Sequence, residues 1–340
     1  MKRFLALVLA VVMVMSLACV ASAADVKTYK VGCSIYTFDD NFMTLYRNEI
    51  IDYFKTLETD TVKYDITMAD GKNDMAEQTN QVQNFITQGM DVIILNLVQT
   101  SSADAIIDMV VEAGIPLVLI NREPLAYDKD GKTLDEAYEG ILDNPTVCYV
   151  GADARQSGTF QGEIIAATEN KGDFNGNGVV DYAMIMGDPE NVDAQYRTEY
   201  SIKALEEAGL KVNKLYEQRA DWDQTKGQEN AANVLSQFNN EVDVIFCNND
   251  AMAMGALQAI EAAGRKVGED IYLVGVDALE EAVQAVADGR MTGTVLNDDV
   301  SQAQTAVDAA VRYLKGEANE KNYTIDYVKV TPENAANYIK

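Results

Sequence analysis

Short runs of consecutive β-branched and aliphatic residues alternate along this chain with longer stretches whose apolar residues recur every three or four positions. The short runs predict strands at residues 31–36, 62–67, 92–97, 117–121, 147–151, 182–186, 212–218, 244–247 and 272–276. The longer stretches predict amphipathic helices at 43–56, 74–87, 102–113, 157–168, 193–207, 223–237, 251–263 and 280–287. Gly114, Gly209 and Gly264 close three of these helices. Strand–helix alternation with short connections means parallel sheets covered by helices. The pattern restarts after residue 151, and the length exceeds one comfortable core, so two doubly wound α/β lobes are expected.

The N-terminus does not join this pattern. Lys2 and Arg3 precede an apolar run over 4–18, and Ala21-Ser22-Ala23 is a small-x-small cleavage site. Residues 1–23 therefore read as a secretory signal, removed from the fold. The apolar run is short for a membrane span, and no later segment qualifies. Ser16-Leu17-Ala18-Cys19 resembles a lipoprotein processing site, so a lipid anchor on Cys19 is the alternative to cleavage after Ala23. Either way the chain is exported, to the periplasm or the outer face of the cytoplasmic membrane.

Composition removes several function classes. Asp and Glu number 54 against 27 Lys and Arg, which argues against nucleic acid and anionic membranes as partners. The cysteines beyond the leader, Cys33, Cys148 and Cys247, are odd in number and lie in or beside strand-like runs, which favours buried free thiols over disulfides. The absence of histidine excludes Ser-His-Asp and Cys-His catalysis and His-ligated zinc. Carboxylate-pair chemistry stays open.

Ligands of open α/β sheets bind beyond the carboxyl ends of the strands. At those exits stand Asp39-Asp40-Asn41-Phe42, Asn121-Arg122, residues 187–193, Ala220-Asp221-Trp222, Asn248-Asn249-Asp250, Asp277 and Asn297-Asp298-Asp299. Asp and Asn there are commonly helix caps, and Asp250 reads as the cap of the helix that follows it. Caps require neither an arginine nor the only tryptophan of the chain. Carboxylates, amides and a guanidinium between aromatic faces suit a small polyhydroxylated ring, whose hydroxyls need donors and acceptors and whose C–H faces stack on aromatics.

A second candidate is Asp173-Phe174-Asn175-Gly176-Asn177-Gly178-Val179-Val180-Asp181. Oxygen-bearing side chains occupy positions 1, 3, 5 and 9 and glycine position 6, the spacing of a calcium loop. Position 12 is Met184, inside the strand-like run 182–186, so a last ligand must come from elsewhere. The competing reading is an Asn/Gly/Asp turn that binds nothing.

The strand-exit segments together resemble the periplasmic galactose/glucose-binding proteins of ABC transport, in the type I periplasmic binding protein class. The likeness spans about residues 28–340. It is carried by Tyr36-Thr37-Phe38-Asp39-Asp40-Asn41-Phe42, Asn121-Arg122-Glu123-Pro124, Val192-Asp193-Ala194-Gln195-Tyr196-Arg197, Trp222-Asp223, Asn248-Asn249-Asp250-Ala251-Met252-Ala253-Met254-Gly255, Gly275-Val276-Asp277-Ala278-Leu279 and Gly293-Thr294-Val295-Leu296-Asn297-Asp298. It implies two doubly wound parallel-sheet lobes, 24–151 with 297–328 and 152–296 with 329–340, joined by crossovers near 151–153, 296–298 and 327–332. It implies sugar contacts at Asp40, Asn121, Asn191, Asp193, Arg197, Asn249, Asp277 and Asn297, with Phe42 and Trp222 stacking on the ring. It also implies a structural Ca2+ held by Asp173, Asn175, Asn177, the Val179 carbonyl, Asp181 and Asp243.

The chain departs from the family pattern at several places. Asn191 stands where the family commonly has His, Asn177 for Asp, Asp181 for Gln and Asp243 for Glu. Residues 126–144 contain an insertion, and the third crossover is shortened. Asp128-x-Asp130-Gly131 in the insertion is calcium-like, but Lys132 occupies a ligand position, so it reads as a turn.

The expected function is non-enzymatic capture of a monosaccharide, galactose or glucose, by a monomeric two-lobed receptor that serves an ABC permease and, alongside transport, a chemoreceptor. Xylose or ribose are alternative sugars. A glycosidase using Asp40 and Asp277 and a sugar-responsive transcription regulator are the readings from other classes; the leader, the acidity and the missing DNA-binding headpiece count against the regulator.

Overall fold

The apolar runs form parallel strands buried on both faces, which is why their hydrophobicity is continuous rather than alternating. The computed structural model describes residues 26–100, 104–124 and 142–339. The leader with Cys19, the start of the helix expected at 102, and Asp128, Asp130, Gly131 and Lys132 lie outside them.

In the first lobe the chain runs β1 (Lys27–Ile35), α1 (Asn41–Thr56), β2 (Val62–Asp70), α2 (Met75–Gln88), β3 (Val92–Leu95), α3 (Asp104–Glu112), β4 (Leu117–Ile120) and β5 (Val147–Gly151). The second lobe follows with α4 (Ala154–Ala166), β6 (Val180–Met186), α5 (Val192–Glu207), β7 (Val212–Arg219), α6 (Gln224–Phe238), β8 (Val244–Cys247), α7 (Asp250–Ala262), β9 (Tyr272–Val274), α8 (Glu280–Ala287) and β10 (Thr294–Leu296). The chain then returns through α9 (Asp299–Leu314), β11 (Asn322–Thr324) and β12 (Val328–Val330).

Among the described residues the first sheet has the order β11-β5-β4-β3-β1-β2 and the second β7-β6-β8-β9, all parallel. β10 pairs antiparallel with β12, and single bridges Val274–Gly293 and Asp277–Leu296 attach β10 beside β9. Each sheet divides two cores. In β3, Val92 and Ile94 face one and Ile93 and Leu95 the other; in β8, Val244 and Phe246 oppose Ile245 and Cys247. Cys33, Cys148 and Cys247 are buried and free, and burial lifts the Cys33 thiol to about 12.

The sequence pattern did not predict α9 or the three-residue strands β10, β11 and β12. α9 packs Ala303, Ala306, Val307 and Ala310 into the core shared with α1 and the first sheet. In the second lobe Gly162 lets α4 lie close to α5: a Cβ there would meet the Ser201 carbonyl oxygen at 2.3 Å. α5 carries Asp193 and Arg197. No helix among the described residues is long and apolar enough to cross a membrane.

Candidate functional site

Seven strand exits, two in the first lobe and five in the second, converge on one narrow cavity between the lobes. The first lobe contributes Tyr36, Asp40, Phe42 and Met43 after β1, and Asn121 and Arg122 after β4. The second contributes Asn191, Asp193 and Arg197 after β6, Trp222 after β7, Asn249 after β8, Asp277 after β9 and Asn297 after β10. All ten residues expected to meet a sugar line this cavity. Tyr36, Met43 and Arg122 line it as well; Arg122 stands among the strand-exit residues read from the sequence, whereas Tyr36 and Met43 do not.

Several lining residues also cap helices. Asp40 Oδ1 accepts from Met43 N at 2.7 Å, Asn191 Oδ1 from Asp193 N at 2.9 Å, and Asn249 Oδ1 from Met252 N at 2.9 Å. Capping fixes these side chains against the first turn, at about 1 kcal/mol each, and leaves their second polar atom for other partners. Asp40 Oδ2 takes one from the Tyr36 hydroxyl at 2.6 Å. The assignment of Asp250 as the cap of α7 is corrected: Asn249 holds that position, and Asp250 is the first helical residue.

The two expected aromatic faces differ in setting. Phe42 is in the first turn of α1, edge-on to Tyr46 at 6.0 Å between centroids. Trp222 lies in a left-handed turn with Asp221, at φ 65° and 52°. Its ring is half-buried against Gly187, where a Cβ would stand 2.3 Å from Cζ2, so only glycine admits the ring there. The indole Nε1 is buried and has no hydrogen-bond partner among the described residues.

Charge is concentrated and buried. Arg197 is 3% exposed and lies 3.9 Å from Asp193 and 3.8 Å from Asp277. Its Nη1 donates to the Asn248 carbonyl at 2.8 Å. Arg122 stacks on the Tyr36 ring at 3.6 Å and donates to the Leu97 and Val98 carbonyls. Burial pushes the Asp193 carboxyl above its ordinary range, with Arg197 and Arg122 pulling it back. Burial likewise raises Asp277 well above its ordinary value, against the opposing pull of Arg197. A desolvated carboxylate is a strong acceptor for any hydroxyl brought to it.

The calcium-like loop lies in the second lobe, away from this cavity. Asn175 and Asn177 Nδ2 donate to Asp181 Oδ2 at 3.1 and 2.8 Å, and these three residues share a surface pocket. Asp243 reaches in from the start of β8, accepting from the Phe174, Asn175 and Asp181 amides. The residue types suit a hard cation. Asp173, however, is engaged by the Gly176, Asn177 and Gly178 amides, and Val179 N donates to Asn177 Oδ1. Among the described residues no group of three or more His, Cys, Asp or Glu is placed to hold a metal.

Two α/β lobes around a deep polar cleft prompt comparison with known proteins. The family model described as periplasmic binding protein domain matches residues 31–318. The chain belongs to the periplasmic binding protein domain family. A Rhizobium meliloti protein assigned to rhizopine binding is 35% identical over 342 residues, covering 99% of both chains. The D-galactose/methyl-galactoside binding periplasmic protein of Haemophilus influenzae is 33% identical, covering 94% of this chain and 95% of its own. The solved structure of an ABC transporter solute binding protein from Bacillus halodurans, with bound myo-inositol, superposes with a TM-score of 0.75 at 30% identity, covering 94% of this chain and 99% of that one. These relatives are solute-binding proteins, and this periplasmic binding protein is one too, not an enzyme.

Proposed function

We propose that this periplasmic binding protein captures one six-membered polyhydroxylated ring between its lobes and presents it to the permease of an ABC transporter. The observation that carries this is the content of the cavity: Asp40, Asp193 and Asp277 as acceptors, Arg197 and the Asn121, Asn249 and Asn297 amides as donors, and Phe42 and Trp222 as apolar faces. Each ring hydroxyl both donates and accepts, and this mixture serves both roles. A ligand touching both lobes stabilises the closed form by its differential affinity. A wrong epimer leaves a buried carboxylate or amide without its partner, which costs more than a missing apolar contact.

D-galactose or D-glucose is the first reading, supported by the galactoside-binding relative. A cyclitol such as myo-inositol is the second. It is supported by the 30% identical solute-binding protein of Bacillus halodurans, solved with bound myo-inositol. Calorimetric titration with galactose, glucose, myo-inositol and ribose separates them. Ribose binding tighter than all three six-membered rings would overturn the ring size, and no heat with any would overturn the polyol reading.

We also propose one structural calcium ion at the 173–181 loop with Asp243. Support comes from the ligand spacing and from the approach of Asn175, Asn177 and Asp181 to one another. The ion would balance the negative charge of Asp181 and Asp243.

A further inference from the structure

Asp250 carries no role in the cavity, yet it is a fully buried acid in the centre of the second lobe. Since Asn249 caps α7, the Asp250 carboxylate is not needed for the helix N-terminus and turns elsewhere. Oδ1 accepts from the Thr294 hydroxyl at 2.6 Å, and Oδ2 from the Leu279 amide at 2.9 Å. The Ala278 amide also donates to this carboxylate. The Asp250 amide donates to the Val276 carbonyl at 2.7 Å. A Cβ at Gly275 would lie 2.2 Å from Oδ1, so the end of β9 is shaped around the acid.

We infer that Asp250 is a positioning residue that sets the ligand-binding geometry of three cavity side chains it does not touch: Asn249, Asp277 and Asn297. Each of its three attachments is one short step from one of them. Asn249 precedes it. Asp277 precedes Ala278 and Leu279, whose amides it receives. Asn297 follows Thr294 by three residues on the way out of β10. The turn it grips is strained: Asp277 and Ala278 have φ of 118° and 54°, conformations that L residues adopt only when the surroundings impose them. Two converging backbone amides on one buried anion supply that imposition. Without it the turn relaxes toward negative φ and withdraws Asp277 from Arg197 and Asn297, which lie 3.8 and 3.4 Å from it. The inference rests on the solute-binding reading of the cavity.

The test uses Asp250→Asn, Thr294→Val and Thr294→Ser in the full mature protein. Asparagine keeps the size but loses the charge and one acceptor oxygen: its NH2 must either face the backbone amides or reverse the direction of the hydrogen bond with the Thr294 hydroxyl. Calorimetry with galactose, glucose and myo-inositol, and the melting midpoint without ligand, are measured for each. Asp250→Asn is expected to weaken the preferred ligand about tenfold or more and to narrow its preference over the others. Thr294→Val should do the same by about threefold, and Thr294→Ser should restore wild-type behaviour. A lowered midpoint with affinity and preference unchanged would make Asp250 structural only and overturn the inference. If Asp250→Asn does not fold, the Val–Ser pair decides by the same criteria. If the wild type binds no polyol, the proposed function fails, and crystal structures of the Thr294 variants decide instead. Displaced Asp277 and Asn297 side chains in Thr294→Val support the positioning role; unmoved ones overturn it.

Discussion

Arg197 Nη2 donates a hydrogen bond to the Tyr327 hydroxyl at 3.1 Å, joining a cavity side chain to a crossover segment 130 positions away in sequence. The Tyr327 amide in turn donates to Gln156 Oε1 at 2.7 Å, beside the first crossover. One charged group in the cleft is thereby tied to two of the segments that run between the lobes. Tyr327→Phe keeps the ring and removes the acceptor, leaving a buried guanidinium short of one partner. Affinity for the preferred polyol should fall about threefold to tenfold by calorimetry. Unchanged affinity would show that the Asn248 carbonyl and the two carboxylates hold Arg197 unaided.

Gly187 and Trp222 make the next prediction. A methyl group at 187 cannot coexist with the indole where it lies, so Gly187→Ala must rotate or expel the ring. Because the ring is half-buried at the cleft, affinity should fall about tenfold or more with a smaller loss of stability, and the ligand-induced change in tryptophan fluorescence should shrink. A variant that binds normally with a wild-type fluorescence response would remove Trp222 from the ligand's surface.

Glu123, after β4 in the first lobe, faces Arg155 of the second at 3.9 Å. Burial is the main reason its carboxyl is raised to about 7; Arg155 opposes this, and Asp193 and Asp153 add to it. Its folded-state value lies above its ordinary 4.5, so the folded form holds a proton that the unfolded chain releases. The associated stability is complete below about 4.5 and is lost as pH rises through about 7. Glu123→Gln removes this titration. Its melting midpoint, taken relative to wild type, should climb by on the order of 2–4 °C between about pH 5 and pH 8. A difference that stays flat over that range would show that Glu123 is solvated and not held between the lobes.

For the proposed calcium ion, chelation is the direct probe. A cation bound to the folded state alone stabilises it by mass action, by about 2.7 kcal/mol at a hundredfold excess over Kd. Chelator should lower the thermal midpoint by several degrees and leave the order of polyol affinities unchanged, since the loop is remote from the cavity. Asp173→Ala should lower the midpoint similarly and make it insensitive to chelator. A wild-type midpoint unmoved by chelator, with no bound ion in elemental analysis, would mean that the loop is closed by its own amides, as the Asp173 contacts allow.

By itself the sequence determined the layered α/β plan and named the strand-exit residues that line the cavity between the lobes. Strands such as Val92–Leu95 and Val244–Cys247 are covered on both faces, so they appear as unbroken apolar runs, and the residues just beyond the ends of such strands are where open α/β sheets meet their ligands. Only the tertiary structure decided the elements whose pattern is weak. β10 and β12 have three residues each, too few for a period, and exist because they pair with one another. The buried face of α9 is largely alanine, which signals little hydrophobicity and is buried because small side chains let it lie close to α1. The same limit applies at the site. An Asp after Asn-Asn in front of a helix has the pattern of a cap, and nothing in the pattern distinguishes Asn249, which caps, from Asp250, which does not. That distinction is made by Leu279 and Thr294, 29 and 44 positions away, which the fold brings to the carboxylate as donors.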